Sequence, residues 1–123
     1  MKTFEKMFEE QLANQQKLIR QGTYDRCATI IDIELPRDDV GLFSYHVQQL
    51  MSEIGEVLEA DKRWKNFRNG KYDRTQKLDE LADCMIVLMN MIMFSGFSAE
   101  DILMQVEKKL DIFRGRINKN GKE

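Results

Sequence analysis

The chain has 123 residues, 42% of them hydrophobic and 33% charged, with a formal net charge of -2. That is one domain's length and an ordinary globular composition, and the slight acidic excess argues against a nucleic-acid footprint. No apolar run reaches membrane-spanning length, the N-terminus lacks an apolar signal core, and Cys27 and Cys84 fall in no metal or redox spacing. The expectation is a single domain over residues 1–123, in a reducing, cytoplasmic setting, with no membrane or nucleic-acid partner.

The pattern along the chain is helical. Phe4, Met7, Phe8, Leu12 and Ile19 recur at helical intervals from about Thr3 to Arg20, with Gly22 as the stop. Residues 23–39 break the period, and Ile30, Ile31, Ile33 and Leu35 fit a short extended or irregular piece. Asp38 or Asp39 can cap a second helix running to about Lys65, with Val47, Leu50, Ile54 and Val57 as its apolar stripe and Met51 and Leu58 alongside.

A third helix is expected from about 73–75 to Ser95-Gly96, after the turn at Asn69-Gly70. From Leu81 to Phe94 it is apolar apart from Asp83 and Asn90, which implies burial on nearly every side. Ser98-Ala99-Glu100-Asp101 resembles a capping box that opens a fourth helix to about Asn118, with Ile102, Val106, Leu110, Phe113 and Ile117 facing inward. The fold class expected is all-α, a four-helix bundle. So much apolar surface on a short chain also implies a homodimer or homotetramer, with Met85, Met89, Ile92 or Met93 near the subunit interface.

Two acid pairs carry the chemistry. Glu53 and Glu56 are three residues apart on the second helix, and Glu80 and Asp83 have the same spacing on the third, so each pair points into one volume. A carboxylate in apolar sequence is costly unless paired or metal-bound, and four facing carboxylates suit a hard divalent cation held through oxygen. The single histidine, His46, lies in neither pair, which disfavours a di-iron site and favours Mg2+, with Mn2+ possible.

The pattern Glu53-x-x-Glu56 followed by Glu80-x-x-Asp83 resembles the MazG-like superfamily of all-α nucleoside triphosphate pyrophosphatases, relatives of dimeric dUTPases and dCTPase-type enzymes. The resemblance covers about Tyr45 to Arg116, a core motif region of 45–116, and includes Asn90, the Lys/Trp cluster after the first pair and the basic final helix. It implies magnesium bound by Glu53, Glu56, Glu80 and Asp83, and conversion of an NTP or dNTP to monophosphate and pyrophosphate as nucleotide-pool house-cleaning.

Glu53 or Glu56 would hold or deprotonate the attacking water, Lys62, Lys65, Lys109 and Arg114 would bind phosphate, Trp64 could stack on a base, and Asn90 would contact substrate. Gln15 and Gln16 could read a base edge, although residues 22–40 follow no family pattern and leave the base open. The competing readings are a non-catalytic helical adaptor and a nucleotide-binding sensor without turnover.

Overall fold

A computed structural model describes residues 1–26, 34–65 and 70–120. Among these the chain is all-helical, with four helices and no strand: α1 Phe4–Arg20, α2 Val40–Ala60, α3 Arg74–Met93 and α4 Ala99–Asn120. No described helix is long and apolar enough to cross a membrane.

Local chemistry sets most helix ends. Thr3 caps α1 through Oγ1, which accepts from the Lys6 amide at 3.1 Å, and Asp39 and Asp73 cap α2 and α3 in the same way, through the amides of Leu42 and Gln76. Ser98 and Asp101 form a reciprocal capping box before α4: Asp101 Oδ2 accepts from the Ser98 amide at 2.9 Å and Ser98 Oγ from the Asp101 amide at 3.1 Å.

α1 and α3 end alike. Gly22 and Gly96 adopt φ of +80° and +86°, and the amides of Thr23 and Phe97 reach back to the carbonyls of Leu18 and Ile92. This left-handed closure satisfies otherwise orphaned carbonyls and favours glycine.

α2 is shorter than its sequence suggests. It stops at Ala60, where Asp61 turns extended and forms an antiparallel bridge with Tyr72. The Lys62 amide donates to Lys71 O at 2.8 Å and the Asp73 amide to Ala60 O at 2.9 Å. At the opposite end Asp38 bridges Ser95, and the amides of Arg37 and Asp39 donate to Met93 O and Phe94 O at 2.8 Å. α2 and α3 therefore form an antiparallel pair fastened at both ends, and α1 packs against α3 with a lighter contact to α4.

The core gathers where α2 begins and α3 ends: Phe8, Tyr24, Leu42, Met89, Met93 and Phe94, with Leu35 half-buried against it. Ile30, Ile31, Ile33 and Cys27 lie outside the described residues. Several expected apolar faces are not covered. α3 buries only Glu80, Val87, Met89, Asn90 and Met93, and leaves Leu78, Leu81, Met85, Ile86 and Leu88 exposed, because α1 reaches only part of it. On α2, Met51, Ile54 and Leu58 are exposed.

Met89 and Met93 belong to the chain's own core rather than to a free face. α4 buries no residue at all, and Val106, Leu110, Phe113 and Ile117, expected to face inward, are exposed.

Candidate metal centre

The fastened α2–α3 pair sets the register of the acids. Glu53, Glu80 and Asp83 converge so that one carboxylate oxygen from each lies within 4.8 Å of the others. Glu56, one turn beyond Glu53, is exposed and stands outside this trio. It remains close enough that its charge acts on Glu80.

Glu80 is only 9% exposed. Its carboxyl is pushed above the ordinary value of 4.5, first by burial and then by the neighbouring charges of Asp83, Glu56 and Asp79, while a hydrogen bond donated by Gln76 Nε2 partly offsets this. The Cys84 thiol is half-buried beside the cluster. Its pKa is raised by burial and then by Glu53, Asp83 and Glu80, so it is not an activated thiol. Three carboxylates sharing one volume, one of them mostly buried, are the donor set a hard oxygen-seeking cation takes.

A cleft of about 410 Å³ opens beside the acids, with Glu53, Asp83 and Asn90 in its wall. Asn90 is buried, and its Oδ1 accepts from Gln11 Nε2 at 2.9 Å. Gln15 is buried rather than solvated and accepts from the Tyr24 hydroxyl at 2.5 Å, whereas Gln16 is half-buried and is not in the wall of this cleft.

His46 also lines the cleft. Its ring stacks on Phe94 at 5.2 Å, its Nδ1 donates to Leu42 O at 2.8 Å, and burial lowers its pKa below 6.5. The tautomer follows from the carbonyl, which can only accept.

Gln11, Tyr45 and Gln49 are cleft residues that the sequence reading missed. Their signal was present: Tyr45, Gln49 and Glu53 are four residues apart, so they share a helix face with the acid.

The proposed phosphate and base contacts are not brought to the acids. Lys62 pairs with Glu59 at 3.1 Å. Trp64 is 57% exposed in a separate groove with Asp61, Arg63 and Lys77, and Lys65 Nζ lies 5.4 Å over its ring. Asp61 in that groove holds Arg63 and Lys77 at 2.9 and 2.8 Å, and these two cations depress its pKa far below the usual carboxylate range.

Lys109 lines a groove formed by α4 alone, and Arg114 pairs with Asp111 at 2.9 Å. Of the substrate contacts named from sequence, Asn90 and Gln15 lie in the cleft beside the cluster. No protein-family model matches the chain, and neither a curated protein nor a solved structure is detectably similar to it.

Proposed function

We propose that the protein is a divalent-cation-dependent nucleoside triphosphate pyrophosphohydrolase, which converts an NTP or dNTP to the monophosphate and pyrophosphate. The observation that carries the reading is the convergence of Glu53, Glu80 and Asp83, two of which, Glu53 and Asp83, line a polar cleft. The resemblance of the two acid pairs to the MazG-like pyrophosphatases supports the same assignment.

In this reading Glu53, Glu80 and Asp83 would hold Mg2+ or Mn2+ through their carboxylate oxygens. When bound, the cation draws the triphosphate oxygens to the acids and offsets their charge. Glu56, exposed and outside the tight trio, takes a proton from water at a carboxylate oxygen. The water oxygen then bonds to phosphorus as the bridge between the α- and β-phosphates breaks, and pyrophosphate leaves.

Asn90, held by Gln11, orients the nucleoside portion in the cleft together with Gln15, Tyr24 and His46, the Tyr24 hydroxyl lying 3.3 Å from His46 Nε2. A homo-oligomer, dimer or tetramer, belongs to the same reading because one chain leaves much of α3 and α4 bare.

The test is turnover of the common NTPs and dNTPs with Mg2+ or Mn2+, with products resolved by chromatography. The expected result is monophosphate plus pyrophosphate, lost without the cation and reduced on the order of a hundredfold in Glu56→Gln. Release of orthophosphate and diphosphate would mean another chemistry. No turnover of any nucleotide would favour a binding or adaptor protein.

A further inference from the structure

The C-terminal helix carries an apolar seam whose first half meets its own chain, Ala99 against the core and Leu103 and Val106 beside Phe4 and Met85, and whose second half is bare. Ala99, Leu103, Val106, Leu110, Phe113 and Ile117 alternate at spacings of four and three residues, the repeat of a coiled-coil seam. Val106, Leu110, Phe113 and Ile117 are 45–59% exposed, and α4 buries no residue. A helix with so little packing is marginal in water on its own, so this seam needs an occupant.

Charge along the helix selects one. Before Lys108, α4 carries Glu100, Asp101 and Glu107 and no base. From Lys108 onward it carries five bases (Lys108, Lys109, Arg114, Arg116 and Lys119) against Asp111. An anionic surface would repel the first half. A copy of the same helix running the other way complements both halves and aligns the two helix dipoles favourably.

We infer that a second copy of this chain covers the seam, the two α4 helices lying antiparallel about a two-fold axis. This rests on the reading of the chain as a homo-oligomer and is independent of its catalytic half.

The register follows from the seam. In an antiparallel pair, Leu110 of one copy meets Phe113 of the other and Val106 meets Ile117. That alignment sets Glu107 beside Arg114 of the other copy, and the two-fold repeats the pair. Arg114 has donors to spare beyond its bond to Asp111. On the opposite flank Lys109 approaches Arg116, but both are exposed and can turn their charged ends into solvent. A parallel pairing would instead set Lys109 against Arg114 and gain no opposite-charge pair.

Sedimentation equilibrium of the full chain tests this. Wild type should show twice the mass of one chain at micromolar concentration. Leu110→Lys with Phe113→Lys, both at exposed positions, sets like charges against each other across the two-fold and should halve that mass while most of the helicity by circular dichroism persists.

Glu107→Arg and Arg114→Glu should each weaken the dimer by placing like charges together. Mixing these two variants should restore it, because both cross-pairs then join opposite charges. A monomeric wild type, or a monomer that instead co-sediments with vesicles containing phosphatidylserine, would overturn the oligomer reading and this interface together. A dimer unaffected by the Leu110/Phe113 changes would overturn this interface alone. Variants that do not recombine on mixing would overturn the antiparallel register.

Discussion

A carboxylate that is 9% exposed and faces two others, as Glu80 does, weakens its fold unless a proton or a cation offsets its charge. Because its folded pKa lies above the ordinary 4.5, the folded state binds more protons than the unfolded one between those two values. Glu80's contribution to stability is therefore full below pH 4.5 and lost as pH rises through the folded pKa.

Glu80→Gln keeps an acceptor for Gln76 and removes the charge. The expected outcome is a higher melting temperature than wild type at pH 7 without metal, and a flatter pH profile. Magnesium at about 100 times its Kd should add about 2.7 kcal/mol to wild type and much less to the variant, as read by thermal melts with and without the ion. An unchanged magnesium response would remove Glu80 from the site.

At the scale of elements, the α2–α3 turn depends on a close approach at Gly70. A Cβ there would meet Lys62 O at 2.5 Å and the Arg63 backbone at 2.6 Å, with no flexible side chain to give way. Gly70→Ala should cost roughly 1–3 kcal/mol, the range for overpacking. Gly55→Ala, whose Cβ meets nothing within 4 Å, should be neutral or gain up to about 1 kcal/mol of helix propensity. Urea unfolding of the two variants distinguishes them, and equal stabilities would refute the close approach.

This turn is also where the sequence misled. Residues 61–65 are compatible with helix, and the Asp61–Tyr72 bridge that ends α2 joins positions eleven residues apart, which no local pattern reports. Features decided within one turn were legible: the Ser98–Asp101 box, the glycine stops, and the i, i+3 acids that bring Glu53, Glu80 and Asp83 together. Which apolar faces stay bare was not legible, because coverage depends on how far α1 reaches along α3. The failure of Lys62, Lys109 and Arg114 to reach the acids has the same origin in tertiary placement.

At the scale of the molecule, the backbone bridges at Asp38–Ser95 and Asp61–Tyr72 close α2 and α3 into a frame. One helix cannot slip a turn along the other without breaking both ends, so the acids hold their spacing before any ion arrives. α4 has no such ties, and the two parts should differ in opening free energy.

Amide hydrogen exchange at low protein concentration should be slowest in the α3 segment 87–93 and fast in α4 beyond Val106. If α4 pairs with its copy, its exchange alone slows as the protein is concentrated, while the frame's rates stay fixed. Uniform protection along all four helices would contradict this division. The consequence is kinetic: if α4 pairs with a second copy, the Glu53–Glu80–Asp83 cluster keeps its geometry through each separation, so assembly and dissociation can proceed many times within the lifetime of one folded frame.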